Sequence, residues 1–224
     1  MSVSPLKHFL LAAILWLPLA FFVWFSCASP LCWPVIQLSK FILLHAWPTL
    51  FTDISQGADL LDLQGHILGH PGYLMQISSG VLMNVAPAGS PLQLGFLEPV
   101  VNPMIYGYSL PLFAGLVLAT PLTRLQRTGQ IVGGACLLVL MQTFGVIGES
   151  LKAIGLDAGA DGAKAVQQVG LPINLIALWY QFGYLILPAL VPAILWIVLN
   201  RRFIETLIRS ESVEPVPSVG VESP

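Results

Sequence analysis

Two histidines of this chain, His66 and His70, have the H-x-x-x-H spacing with which zinc proteases place two imidazoles on one helical face. In those enzymes a catalytic glutamate follows the first histidine. Here Ile67 takes that place, and Gly69 and Pro71 disfavour a helix through the segment. We therefore interpret the pair as two histidines of a turn, and they remain only weak candidates for metal ligands.

The cysteines are too few for a disulfide framework, since the chain contains only Cys27, Cys32 and Cys136. A disulfide between Cys27 and Cys32 would be feasible on an oxidising side of a membrane, and the sequence leaves it open. A cysteine nucleophile would need a base and an oxyanion stabiliser. His45 is the nearest candidate base, and no pattern places it beside either cysteine.

Three amide side chains, Gln142, Asn174 and Gln181, lie inside long apolar segments. Neutral amides in such segments usually hydrogen-bond between helices. Transporters and proton pumps instead place an ionisable side chain near mid-membrane. The acids Glu98 and Glu149 fall near the ends of apolar segments, and we expect both at the surface.

The composition indicates an integral membrane protein. Of 224 residues, 56% are hydrophobic and 9% are charged, whereas soluble domains carry charges at about 25% of positions. So few charges cannot cover a water-facing surface of this size. The net charge of −2 gives no reason to expect a nucleic-acid partner.

Four apolar segments can cross a bilayer, whose hydrocarbon core of about 30 Å requires about 20 helical residues. They are residues 9–25, 105–122, 131–147 and 171–199. Pro188 and Pro192 predict a kink in the last one. The first could instead be a signal peptide with Ser26 and Ala28 at its cleavage site, but its apolar run is longer than such a peptide requires.

The basic residues predict the orientation of these spans. Arginine occurs only between the second and third spans and after the fourth, and a lysine precedes the first: Arg124, Arg127, Arg201, Arg202, Arg209 and Lys7. Such residues favour cytoplasmic loops. Four spans with both termini in the cytoplasm satisfy this bias.

Residues 31–51 are apolar enough to be mistaken for a fifth span. Pro34 and Pro48 bracket a helix of only about 20 Å, and a fifth span would move the arginines to the outer side. We therefore predict a helix on the outer membrane face, with Trp33 and Trp47 as interfacial anchors.

The remaining segments are polar. Residues 53–100 are rich in turn-forming residues and contain short alternating apolar runs, which predicts a small β-hairpin or meander on the outer side. Residues 150–170 fit a short surface helix, and the tail after Ser210 is expected to be disordered. The predicted divisions are 1–27 (first transmembrane helix), 28–52 (interfacial outer-face helix), 53–101 (outer β-rich domain), 102–122, 129–149 and 171–200 (the other transmembrane helices), 150–170 (outer loop) and 201–224 (cytoplasmic basic stub and tail).

A distinctive run leads from the β-rich segment into the second span. It contains Asn102-Pro103, which suits a helix start, then Tyr106-Gly107-Tyr108 and Leu-Pro-Leu-Phe at residues 110–113. This run and the four-span layout resemble the small membrane proteins of the exosortase H-associated family. Exosortases are bacterial membrane enzymes, similar to transpeptidases, that process exported proteins carrying a C-terminal tag. The family has no assigned catalytic residues, so the resemblance carries none to this chain.

The chain does not resemble an exosortase itself. Those enzymes use a cysteine, an arginine and a histidine near the outer face, and the predicted outer segments contain no arginine. The resemblance instead implies a protein of the bacterial cytoplasmic (inner) membrane that works beside such an enzyme.

We therefore expect an all-α transmembrane protein of about four spans with a small β-rich insertion on the outer face. The expected function is that of a non-enzymatic accessory in exosortase-linked surface-protein sorting or envelope assembly. Its partners would be the lipid bilayer and a membrane protein such as an exosortase, without cofactor or catalytic residue. Two alternatives are a small transporter or channel subunit, and an outer-face metal or redox enzyme using the histidine or cysteine pair.

Overall fold

The structure is a computed structural model that describes residues 5–61, 66–84 and 94–211. It begins with α1 (Pro5–Ser26) and α2 (Ala28–Ala46). The strands follow: β1 (Phe51–Gln56), β2 (Leu60–Leu61), β3 (Ile67–Gly69), β4 (Met75–Ser79), β5 (Leu82–Asn84), β6 (Leu94–Phe96) and β7 (Val100–Val101). The later helices are α3 (Met104–Gly107), α4 (Ser109–Ala119), α5 (Arg124–Lys152), α6 (Gly159–Gln168), α7 (Ile173–Gln181), α8 (Leu187–Leu199) and α9 (Arg201–Glu211). Residues 212–224, which include most of the predicted disordered tail, lie outside the described residues.

Among the described residues, three helical segments are long and apolar enough to cross a membrane: Pro5–Ser26, Arg124–Asp157 and Ile173–Leu199. They correspond to the first, third and fourth predicted spans. The second predicted span forms an apolar segment, Met104–Ala119, that is shorter, at about 24 Å if fully helical. The structure therefore shows three candidate spans and one shorter apolar helix where the sequence predicted four spans.

These helices alternate in direction. Phe9, near the start of α1, stacks on Trp196 near the end of α8 with ring centroids 5.5 Å apart. The end of α4 is at the same place, because Ala119 lines a pocket with Phe9. Gln130 of α5 and Asn200, just after α8, exchange amide hydrogen bonds of 3.1 and 3.2 Å. We call this the arginine end of the bundle, since the first turn of α5 and the helix after α8 carry the arginines, and we call the opposite end the sheet end.

A compact turn joins α4 to α5 at the arginine end. Thr123 caps α5: its Oγ1 accepts a hydrogen bond from the Gln126 backbone, and the Gln126 side chain accepts one from the Thr123 backbone. This reciprocal pair satisfies backbone donors that the first helical turn otherwise leaves unpaired. Consequently α5 begins only a few residues after α4 ends.

Two π-helical turns interrupt the long helices. One, at Ala153–Asp157, continues α5, and the other, at Phe182–Ile186, joins α7 to α8. Pro188 comes two residues after the end of the second turn and has no N–H for the carbonyl of Tyr184, which lies within that turn. The sequence predicted a kink at Pro188 and Pro192. The structure has a π-helical turn in place of an α-helical one just before Pro188.

The sheet end carries a small antiparallel β region, as predicted. Its largest sheet has the strand order β1-β4-β7, with Ile54 opposite Ile77 and Met75 opposite Val101. Two separate pairs, β2 with β3 and β5 with β6, extend from it. The chain breaks around Gly80 between β4 and β5, and residues 62–65 and 85–93 of the predicted β-rich segment lie outside the described residues.

Helix α2 begins at Ala28, the predicted start of this segment, but Pro34, which was expected to bracket the helix, lies within it. It is not among the candidate spans in the described part of the chain. Its buried residues recur at helical spacing: Ala28, Cys32, Val35, Ile36, Ser39 and Leu43. This face packs against β1 and α5, and Trp33 on the other side is exposed, as an interfacial anchor would be.

One hydrophobic core joins the sheet to the spans. It includes Leu43 of α2, Ile77 of β4, Val146 of α5 and Val166 of α6. Helix α6 itself confirms the short helix predicted in residues 150–170. Because these elements share buried side chains, the sheet end is continuous with the helical bundle rather than a tethered domain.

Candidate functional site

The structure does not bring the two candidate metal ligands into a helical arrangement. His66 and His70 flank strand β3, so the backbone between them is extended. His70 Nδ1 lies 2.9 Å from Asp59 Oδ1, and both side chains are exposed. Within residues 5–61, 66–84 and 94–211, no group of three His, Cys, Asp or Glu side chains forms a metal-binding cluster.

Both cysteines at the start of α2 are free in the structure. Cys27 is exposed, whereas Cys32 is buried, and burial raises the pKa of its thiol to about 11. A thiol with such a pKa is a poor source of thiolate. His45 hydrogen-bonds to the Phe41 carbonyl at 2.7 Å and lies 13 residues along α2 from Cys32, which is about 20 Å. The proposed base therefore does not approach the cysteine.

Of the three amides expected to hydrogen-bond between helices, Gln142 does so, whereas Asn174 and Gln181 are exposed. The side chain of Gln142, on α5, is buried and donates a hydrogen bond of 3.1 Å to Ser109 Oγ at the start of α4. Ser109 Oγ in turn donates to the Tyr106 carbonyl at 3.1 Å. This network connects α3, α4 and α5 in the interior of the bundle.

A second polar group lies farther along the same face of α5. The Oε2 atom of Glu149 and the hydroxyl of Tyr106 are both buried and interact with each other, but among the described residues neither makes a hydrogen bond of standard geometry. The two side chains are nevertheless neighbours. Glu98 is exposed, as expected, whereas Glu149 is half-buried and its Oε2 atom lies inside the protein. Glu149 follows Gln142 by seven residues, two helical turns, and this spacing was the sequence signal that could have placed both on one face.

Glycine residues of α5 allow large aromatic rings to approach its backbone. The ring of Tyr106 lies over Gly145, where a Cβ atom would overlap it. Similarly, a Cβ on Gly148 would lie 2.7 Å from the Trp179 ring, whose Nε1 donates a hydrogen bond to the Phe144 carbonyl at 3.0 Å. Sequence reasoning did not identify this pattern, although the two glycines are three residues apart and therefore adjacent on the helix.

Aromatic rings and one ion pair surround this half-buried group, which we call the Glu149 site and define as Tyr106, Glu149, Lys152, Tyr180 and Tyr184. Tyr184 stacks on Tyr180 at 5.5 Å and meets the Tyr106 ring edge-on at 6.4 Å. Lys152 Nζ lies 5.1 Å from the centre of the Tyr180 ring and 2.8 Å from Asp157 Oδ2. Such an arrangement can hold a proton or a hydrogen-bonding group.

The position of Glu149 along α5 limits what it can do. It lies 25 residues after Arg124, or about 38 Å along the helix, which exceeds a hydrocarbon core of about 30 Å. Glu149 therefore belongs to the sheet end of the bundle and not to its middle. The geometry therefore does not place this carboxylate in mid-membrane, where transport proteins use one.

The sheet end also presents an outward-facing cleft of about 490 Å³ between β4, β5 and α6. Thr49 and Val81 line it from the sheet side, and Asp161, Lys164 and Gln168 line it from α6. Beside it, the β5–β6 pair exposes three large apolar side chains: Leu82 is 50% exposed, Leu94 is 64% exposed and Phe96 is 61% exposed.

These three side chains form one surface, which we call the hairpin patch. Leu82 lies directly opposite Phe96 in the ladder, and Leu94 is two residues before Phe96, so all three project from the same face. Exposed contiguous apolar surface of this kind usually marks an interaction site.

Comparison with known proteins identifies the family. The family described as exosortase H-associated membrane proteins matches residues 3–203, which include all seven strands and every helix through α8. No curated protein and no solved structure matches the chain. The resemblance carried by Asn102-Pro103 and the tyrosine motif is thus confirmed across almost the whole chain. This protein belongs to the family of exosortase H-associated membrane proteins.

Proposed function

We propose that this protein is a non-enzymatic accessory of exosortase H in the bacterial inner membrane, where it holds the hairpin patch in a fixed position for the enzyme to bind. The family description supports the association with exosortase H. The observation that carries the proposal is the patch itself, formed by Leu82, Leu94 and Phe96 on one face of a strand pair. Exosortase-linked sorting or envelope assembly is the process this role would serve.

The contacts that fix the sheet end to α2 suit a docking platform. Lys40 of α2 donates hydrogen bonds to Asp53 Oδ1 at 2.8 Å and to the Ile54 carbonyl at 2.6 Å, joining α2 to β1. The hydrogen bond from Lys40 is the largest cause that holds the pKa of the Asp53 carboxyl below its ordinary value, and a backbone hydrogen bond from Ile54 is the second. At the start of α2, Ser29 Oγ donates to the Gly72 carbonyl at 3.0 Å. A surface held in this way loses little conformational freedom when a partner binds.

The proposed topology has four spans, with the arginine end in the cytoplasm and the sheet end outside. The arginine distribution supports this orientation. The short segment Met104–Ala119 would serve as the second span, because its first turn is covered by protein: Tyr106 is fully buried. A helix end surrounded by protein does not need the full hydrocarbon length.

The test is the co-purification of exosortase H with a variant in which Leu82, Leu94 and Phe96 are all replaced by threonine. Threonine keeps the β preference of the strands but removes the large apolar surface. We expect recovery of exosortase H to fall at least about tenfold while the variant accumulates normally. The matched control is Leu125→Thr, a single exposed leucine at the arginine end, which should leave recovery unchanged.

Undiminished recovery of exosortase H with the triple variant would reject the hairpin patch as the docking surface. If the same amount of exosortase H were recovered in the absence of this protein, the accessory role itself would be rejected.

A further inference from the structure

Helix α9 divides its side chains between two opposite faces. At about 100° per residue, its four large apolar residues fall within an arc of about 140°. They are Phe203, Ile204, Leu207 and Ile208. The opposite arc carries Arg201, Arg202, Glu205 and Arg209, all exposed. This separation is typical of helices that lie at a membrane surface.

Contacts with the bundle fix the apolar face of α9. Phe203 meets Phe9 of α1 edge-on at 5.5 Å, and Leu207 is only 8% exposed. Asn200 precedes the helix, accepts a backbone hydrogen bond from Ile204 at 3.1 Å and bonds to Gln130 through its side chain. Ile208, in contrast, is 63% exposed, so the apolar face extends beyond the protein.

The charge of this region is positive. The polar face of α9 carries three arginines and one glutamate. At the same end of the bundle, Arg127 donates from Nη2 to the Thr120 carbonyl at 3.4 Å, while its buried Nε has no hydrogen-bond partner among the described residues. The guanidinium groups available here match phosphate and other anionic oxygen groups.

We infer that α9 is a surface that binds anionic phospholipid head groups, with its apolar side chains in the interfacial region of the leaflet at the arginine end. The helix begins one residue after α8, a candidate span, so it starts where a membrane surface would be. Its exposed isoleucine requires apolar surroundings, and its arginines require anions. An anionic leaflet supplies both at once.

An acidic segment of a partner protein is the other anion that α9 could meet, and the geometry favours lipid. The exposed part of the apolar face continues from a face that already packs on the membrane-spanning helix α1 through Phe203. The inference depends on the chain crossing a bilayer and is independent of exosortase H. The main arms of its test therefore contain only this protein and lipid, and exosortase H is added last, to test the alternative.

The experiment uses the full chain with Ile208→Cys carrying an environment-sensitive nitrobenzoxadiazole dye. The exposed cysteines are removed by Cys27→Ser and Cys136→Ser, whereas the buried Cys32 remains. The protein is reconstituted into vesicles of phosphatidylcholine alone or with about 30% phosphatidylglycerol. Both leaflets have the same composition, so the direction of insertion does not affect the result.

We expect dye emission to shift to the blue and to rise about twofold when phosphatidylglycerol is present, and about 1 M salt should reverse the change. The variant Arg201→Gln/Arg202→Gln/Arg209→Gln should lose this response. Lys164→Gln, which removes a positive charge at the sheet end, should keep it. A thermal-unfolding scan establishes that each variant is folded. The salt response of the protein that keeps its three arginines tests the inference without the variants.

Emission that is the same in both kinds of vesicle would overturn the inference, as would a response that survives loss of the three arginines. A dye signal that stays insensitive to phosphatidylglycerol but changes when exosortase H is added would assign α9 to the protein partner instead.

Discussion

The ring of Tyr106 lies against the backbone of Gly145, in the space that a side chain at position 145 would occupy. This contact brings α3 onto α5 next to Glu149, whose Oε2 atom is buried. Gly183 of the second π-helical turn also approaches Gly145, because a Cβ atom on Gly183 would lie 3.0 Å from the Gly145 Cα. Three segments distant in sequence thus meet at one glycine.

Gly145→Ala is therefore expected to be destabilising. The added methyl group must displace the Tyr106 ring, and overpacking of this kind costs about 1–3 kcal/mol. Thermal unfolding of the purified protein in detergent measures the effect. Gly133→Ala on the same helix is the matched control, because nothing lies within 4 Å of a Cβ at that position. Equal stability of the two variants would contradict the contact.

The hydroxyl of Tyr106 should contribute little to stability. It makes no hydrogen bond of standard geometry among the described residues, so Tyr106→Phe should change the free energy of unfolding by less than about 1 kcal/mol. Glu149→Gln should be neutral or stabilising, since it removes an incompletely paired buried acid. Chemical denaturation in mixed micelles gives both values. A loss above about 2 kcal/mol for Tyr106→Phe would mean that the hydroxyl has a bound partner in the membrane.

The topology predicts where a reporter is active if it functions only outside the cytoplasm. Fusions after Gly89 or Gly159 should be active, because Gly159 begins α6 at the sheet end and Gly89 falls in sequence between β5 and β6. Fusions after Thr128 or Ser210 should be silent. An active fusion after Thr128 would invert the bundle and reject the four-span orientation.

Single replacement of the residues whose types suggested chemistry should leave the cellular role largely intact. These variants are His66→Ala, His70→Ala, Cys27→Ser and Cys32→Ser. Only Cys32→Ser is expected to lower the amount of protein, because its thiol is buried in the core and a hydroxyl there needs a hydrogen bond. The measurement is exosortase-dependent processing of an exported protein, normalised to the amount of each variant. Normal accumulation with complete loss of processing would instead assign that residue to catalysis.

Much of the helical layout could be predicted, because apolar length and amide placement are local properties of the sequence. Gln142 is an example: an amide within an apolar helix needs a partner, and Ser109 supplies it. The burial of Glu149 could not be derived in the same way, since it depends on rings from α3 and the second π-helical turn. Pro34 does not mark the helix boundary that was predicted there, because α2 begins six residues earlier.

The sheet end likewise has features that the sequence predicts and features that only the folded chain determines. Turn-forming residues and alternating runs predict that strands exist, but the break at Gly80 follows from contacts with a distant turn, where a Cβ would lie 2.6 Å from the Thr49 carbonyl oxygen. Likewise, nothing in the spacing of Leu82, Leu94 and Phe96 reveals that pairing places them on one face. Strand register, which determines that face, is a property of the folded chain.

The compact turn at Thr123 has a consequence for how the protein reaches its membrane. Helix α4 is short for independent insertion, yet the turn and the capping pair between Thr123 and Gln126 hold α5 directly after it. Ser109 and Gln142 can form their hydrogen bond only when these two helices are side by side. Segments 104–119 and 124–152 should therefore leave the translocation channel together as a helical hairpin, so that the long helix carries the short one into the lipid during biogenesis.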